Sequence, residues 1–451
     1  MTEDADGSPR LIRVLNISLV AAALVQFALF GAVLGRTMIL EPVGDMFGWI
    51  DNYLRLNSAG NVLEYLWAPH NEHHIPLIRI LTALDMSAFH GNEVVFVLAA
   101  AASLLAVAAL IVLELRRDRS LVVSPGSLAV VGSMLILTAT AALDCALPVF
   151  GSYSMTLFFV VAALILFDSE TERTRLTNAK RGLALFAAVL AALANGVGLV
   201  VWPALLWTAS RAGAARWWLF AIVALGACYA FIYTWGVAPV GAGDPDRIFD
   251  LSHLWKMFEY FLTYVALPLS RERSLAILTR ALGGVLLCIG VIVILRDALS
   301  PRPPTRLQRI AIGLIIAGLA SGLLAAAGRV DIDAEVKVPV RYALLVSPLQ
   351  IGLLAFVWPW IARRAVLLHR EALMLAITVA TCWALVAAQV VEGLSAMAVS
   401  DEIKTTVEHY NGSESEAGMV RVGFPDLRVI QRVRSALRAS NNPIGKSQHV
   451  Q

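Results

Sequence analysis

The chain has 451 residues, 58% of them hydrophobic and only 15% charged, with a formal net charge of +3. Apolar residues gathered into long runs exclude an ordinary soluble fold, and the ten-residue alternation of a membrane β-barrel is absent. The basic residues cluster between hydrophobic runs, which reports orientation in a bilayer and argues against nucleic acid as a partner.

A hydrocarbon core about 30 Å thick needs roughly 20 apolar residues per helix, and runs of that size recur along the whole chain. The expected fold is therefore all-α and integral to the membrane, since lipid offers no partner for backbone N–H and C=O groups. The first run, residues 14–34, is too long for a cleaved signal and reads as a retained span. Arg10 and Arg13 precede it, and Arg116, Arg117 and Arg119 follow the second run, 94–113. That bias puts the N-terminus in the cytoplasm and makes the loop 36–92 extracytoplasmic.

Runs at 128–143 and 153–167 form the next pair of spans. The apolar stretch after them is interrupted at Asn195-Gly196-Val197-Gly198 and again near Trp202-Pro203. It reads as two short or broken helices, lining a cavity or forming a plain helix-turn-helix. After a span at 217–233, the run 254–269 is short and carries Lys256 and Glu259, the mark of an outer interfacial or re-entrant helix. Spans near 282–295, 310–327, 343–361 and 372–391 bring the expected total to about eleven. The polytopic domain then covers residues 1–400, and 401–451 is a polar extracytoplasmic tail. In that tail Leu427, Ile430, Val433 and Leu437 alternate with Arg428, Arg432, Arg434 and Arg438, an amphipathic helix for the membrane surface or the outer loop. The four cysteines stand singly in or beside apolar runs and read as small core residues.

Chemistry concentrates in the first loop, where acids and imidazoles are embedded among Phe47, Trp49, Ile50, Tyr53, Tyr65 and Trp67. Asp45 follows the first span closely. A carboxylate in partly apolar surroundings has its charged form disfavoured, which suits a general base; a helix N-cap is the alternative. Asp51 is the second acid of that kind. His70-Asn71-Glu72-His73-His74 offers a divalent metal ion the ligands Glu72, His73 and His74. Pro76 starts a helix and leaves the cluster in irregular chain, which weakens the metal reading against a hydrogen-bonded anchor or a polar substrate contact through His70, Asn71, Glu72 and His73. On the helix 77–89, Asp85 is expected to pair with an arginine at the interface. Arg329, Arg341 and Tyr342 flank a later outer loop, where arginine suits a phosphate or snorkels at a helix end.

These patches together resemble the GT-C superfamily of polytopic membrane glycosyltransferases, in particular bacterial ones. The features that carry the resemblance are Asp45 after the first span, Trp67-Ala68-Pro69-His70-Asn71-Glu72-His73, Gly328-Arg329 and Arg341-Tyr342. His74 departs from the family pattern, which often has an arginine there. The resemblance implies a GT-C-like bundle in the bacterial cytoplasmic membrane, with interfacial helices in the first loop. It implies transfer of a sugar from a polyprenyl-phosphate donor, with Asp45, or else Asp51, as base. Arg329 and Arg341 would neutralise the departing lipid phosphate, with a divalent ion in some members. It also favours a non-spanning 254–269, which keeps Arg341 on the side of Asp45. The rivals are a transporter or lipid flippase, using the break at 195–198, and an acyl or phosphoryl transferase using His70 or His73.

Overall fold

The computed structural model describes residues 7–39, 42–57, 59–70, 73–117, 125–168, 175–235, 250–267, 276–330, 338, 342–368, 370–413 and 426–439. Helices dominate them. After α1 (Gly7–Thr37), the first loop holds α2 (Met46–Asn52), a π-helical turn (Tyr53–Asn57), α3 (Val62–Trp67), the two-residue strands β1 (Pro69–His70) and β2 (His73–His74), and α4 (Pro76–Ala88). The bundle continues with α5 (Val94–Arg117), α6 (Pro125–Ile136), α7 (Ala139–Ala146), α8 (Gly151–Phe167) and α9 (Arg175–Ala194). A 3-10 turn (Gly196–Val200) leads to α10 (Val201–Arg211), α11 (Arg216–Thr234), α12 (Leu251–Ala266) and α13 (Ala276–Leu299). The last elements are α14 (Arg306–Arg329), α15 (Ala343–Leu367), α16 (Glu371–Ser413) and α17 (Leu427–Ala439).

Among the described residues, eight helices are long and apolar enough to cross a membrane, or nine if α6 and α7 form one span bent by 44°. The other two runs that the sequence counts as spans are α8, of 17 residues, and α10, of 11. The bend between α6 and α7 frees backbone groups that lipid could not satisfy, and neighbouring helices take them up. Gln26 of α1 donates to the Leu137 carbonyl at 2.6 Å, and the Ala139 N–H donates to Gln389 Oε1 of α16 at 2.7 Å. α1 and α16 run parallel, with Trp383 donating to Ser18 and Ser400 to the Thr37 carbonyl. α14 and α15 are antiparallel and close: a Cβ at Gly318 would lie 2.6 Å from that of Leu349, and one at Gly352 would meet the Ala311 carbonyl. Small residues of this kind let membrane helices approach where no hydrophobic force drives them together.

Ion pairs mark one end of the bundle. Arg306 at the start of α14 binds Glu114 of α5 at 2.9 Å, Arg309 binds Asp168 beyond α8 at 2.7 Å, and Arg211 of α10 binds Asp297 of α13 at 2.9 Å. The first loop, the ends of α9, α11 and α14, and the start of α15 lie at the other end, called here the loop end. Because α13 finishes beside Arg211, it starts at the loop end, where α11 also finishes. α12 packs beside the start of α13, with Glu259 paired to Arg280 at 2.6 Å. α16 continues unbroken past residue 400, and α17 packs Ile430, Val433 and Leu437 against Phe47 and Ile50 of α2. Of the two placements open to the C-terminal amphipathic pattern, the fold takes the one on the first loop.

Candidate functional site

Gly44, at a left-handed φ of +55°, turns the chain from α1 into α2 and leaves Asp45 at the helix N-cap. The Asp45 carbonyl accepts the N–H groups of Gly48 and Trp49, while its carboxylate makes no capping bond and points elsewhere. Asp45 Oδ2 lies 3.2 Å from His70 Nε2, with the Asp45 side chain half exposed and His70 largely covered. Under this pair is an apolar floor. Trp49 meets the His70 ring edge-on at 5.6 Å and is itself buried with Phe96, Met155 and Ala194.

His70 is held by the hairpin that pairs Pro69 with His74 and His70 with His73. His74 is buried, stacks on Trp67 at 4.9 Å, and places Nδ1 2.8 Å from the Trp67 carbonyl and Nε2 3.3 Å from that of Trp235. It braces the first loop to the end of α11. A backbone carbonyl thus faces each of its ring nitrogens. Among the described residues no cluster of three or more His, Cys, Asp or Glu side chains could hold a metal ion. Asn71, Glu72 and Arg341 lie outside the described residues, as does the side chain of His73.

Asp51 is placed differently from Asp45. It is buried and accepts from Arg55 at 2.8 Å and from Arg432 of α17, so two guanidinium groups already take its charge. Asp85 has no arginine partner among the described residues: its Oδ2 accepts the Glu93 N–H at 3.2 Å, and the expected interfacial pair does not form. Burial pushes the Asp85 carboxyl up to about 6 and the Glu93 carboxyl well above the ordinary range.

Beside the first loop is a cavity of about 230 Å³, lined by Tyr153, Asn195, Tyr233, Tyr264, Arg329 and Tyr342 with Leu199, Leu324 and Leu345. Two of the sequence-derived site residues, Arg329 and Tyr342, thus share one space. The broken segment helps to build its wall: Asn195 caps the 3-10 turn by accepting the Val197 N–H at 3.1 Å and donates to Ser152 at 3.4 Å. Gly198 is required here because a Cβ would collide with the Ala191 carbonyl. Tyr342 is wedged between Tyr153 and Tyr264, each ring centroid 5.9 Å away. The cavity and the Asp45–His70 pair meet the same elements. Tyr233, in the cavity wall, touches the His74 ring at 6.2 Å, and Asn195 follows Ala194, which packs with Trp49. The sequence did not single out the three tyrosines Tyr153, Tyr233 and Tyr264; they lie in apolar runs where an aromatic residue is ordinary.

Fold and site together define a multi-pass, all-α membrane protein with a polar site at one end of its bundle. No protein-family model, curated protein or solved structure matches the chain.

Proposed function

We propose that the protein is a membrane glycosyltransferase of GT-C type, moving a sugar from a polyprenyl-phosphate donor to an acceptor hydroxyl. The reading takes the loop end as the extracytoplasmic face of the bacterial cytoplasmic membrane, with the N-terminus inside. It counts α8 and α10 as short spans, for about eleven crossings, and treats α2 to α4 and α12 as interfacial.

One observation carries it: a half-exposed carboxylate on an apolar floor, fixed by a histidine, beside a mixed aromatic and apolar cavity that contains an arginine. The His70 N–H donates to Asp45 Oδ2 and orients the carboxylate toward the acceptor. Asp45 takes the hydroxyl proton as the acceptor oxygen bonds to the anomeric carbon and the bond from that carbon to the phosphate oxygen breaks. Arg329 neutralises the departing lipid phosphate, and its fixed charge at the lipid boundary suits that role. Leu199, Leu324 and Leu345 give the first isoprene units an apolar wall. No step runs through a metal ion, and His74 serves as a brace.

In proteoliposomes supplied with a polyprenyl-phosphate sugar and candidate acceptors, Asp45→Asn should lower turnover by about 100-fold or more with donor binding retained. Unchanged turnover in that variant overturns the assignment of the base. The broken Gly196–Val200 segment in the cavity wall favours a second reading, a transporter or lipid flippase. That reading predicts movement of a labelled lipid headgroup across the bilayer with no glycosidic product.

A further inference from the structure

Among the described residues, Arg79 is the largest fully buried side chain, and none of their carboxylates pairs with it. It stands on α4, whose start is set by Pro76 at the first helical position. Its Nη2 donates to the carbonyls of Ala68, at 2.9 Å, and Pro69, at 3.4 Å, the two residues that lead into His70. The guanidinium lies 5.4 Å from the centre of the Tyr65 ring, and the Tyr65 hydroxyl donates to the Arg79 carbonyl at 2.7 Å. Tyr65 is itself buried, so the end of α3 and the first turns of α4 grip each other across the root of the hairpin. Among the described residues, Nε and Nη1 have no hydrogen-bond partner. Burying an unpaired cation is costly, and a neutral donor could hold two carbonyls at a smaller desolvation penalty. A retained charge aimed at the peptide dipoles just ahead of His70 does more than join two segments.

We infer that Arg79 is a positioning residue for the Asp45–His70 pair: it fixes the strand that carries His70, and with it the orientation of the Asp45 carboxylate. The inference rests on the reading of Asp45 as base only for its effect on catalysis; the geometric part stands apart from it. A misplacement of about 1 Å in such a pair is enough to lower turnover by roughly 100-fold.

The test has two arms on the full chain in membranes. In the first, Asp45→Cys and His70→Cys are introduced together and bridged with a short bifunctional methanethiosulfonate, with and without Arg79→Met. The bridging yield should fall severalfold with Arg79→Met and recover in part with Arg79→Lys, which keeps a charge and a donor. Should Arg79→Met aggregate on size-exclusion chromatography, Arg79→Gln takes its place. A bridging yield unchanged in either folded neutral variant overturns the inference. In the second arm, transfer is measured in chains that keep Asp45 and His70. Arg79→Met should lower kcat with little change in acceptor KM and displace the acid limb of the pH profile, and Arg79→Lys should restore part of the rate. A loss confined to KM overturns the positioning role. If bridging responds to Arg79 while Asp45→Asn transfers at the parental rate, positioning stands and the glycosyltransferase reading falls.

Discussion

At residue scale, four acids of the first loop and its exit meet three different fates. Asp45 pairs with a histidine and stays half exposed; Asp51 is taken up by two arginines. Asp85 and Glu93 are buried side by side, and both Glu93 carboxylate oxygens lack a hydrogen-bond partner. Their turn is strained as well: His90 and Glu93 adopt φ of 59° and 62°, which side chains rarely do. Since burial raises both carboxyl groups, the fold favours their neutral forms. The stability linked to them is then full below the ordinary carboxylate range, about pH 4, and is lost as pH rises through 6 and beyond. Thermal unfolding in detergent should therefore show a midpoint that falls as pH rises from about 4 through 6, and Glu93→Gln should flatten that fall. The presence of acids here was legible in the sequence. Which of them would be paired, buried or left open was not, because each fate depends on how the loop packs, and for Asp51 on Arg432, far along the chain.

Elements show the same division. The spacing of Leu427, Ile430, Val433 and Leu437 is enough to define an amphipathic helix, and α17 forms there, but only packing shows that Ile430, Val433 and Leu437 are buried against α2. Gly91, at φ +69°, lies against Leu437, so the strained turn and α17 form one contact. Val433→Asp puts an unpaired carboxylate into that contact and should release α17, which faster amide exchange over residues 427–439 would report. The bend between α6 and α7 is a second case. A polar glutamine in α1 looks like an accident of composition until its amide is found on the Leu137 carbonyl. Gln26→Leu should destabilise the bundle by about 1–3 kcal/mol, read as a lower unfolding midpoint, because a buried carbonyl loses its donor.

For the whole molecule, the two ends of the bundle differ in how they are held. One is tied by arginine–carboxylate pairs from helices far apart in sequence, the other by aromatic packing around a cavity. Arg306→Met leaves Glu114, buried within α5, with only Arg117, and should cost about 3–5 kcal/mol. The arrangement of ends also has a direct test. Cysteines at the exposed positions Leu63 and Leu251 should react with an impermeant thiol reagent from one side of the membrane, and one at Leu299 from the other. Labelling of positions 63 and 251 from opposite sides would mean that the first loop and α12 do not share a face.

By itself the sequence determined that the chain is helical and built for a bilayer, because apolar length and the need to satisfy backbone groups in lipid are local properties. It also pointed to the first loop, to the break at Asn195–Gly198 and to Arg329 and Tyr342 as places where polar chemistry meets lipid. Only the tertiary structure decided that Asp45 faces His70, that Asp51 and His74 are braces, and that the break, Arg329 and Tyr342 surround one cavity. Those outcomes depend on long-range packing of helix ends, and charge bias along the chain was nearly balanced over its second half. The ion pairs that gather the other helix ends, Arg306 with Glu114 and Arg211 with Asp297, are what place the far end of α14, and with it Arg329, on the side of Asp45.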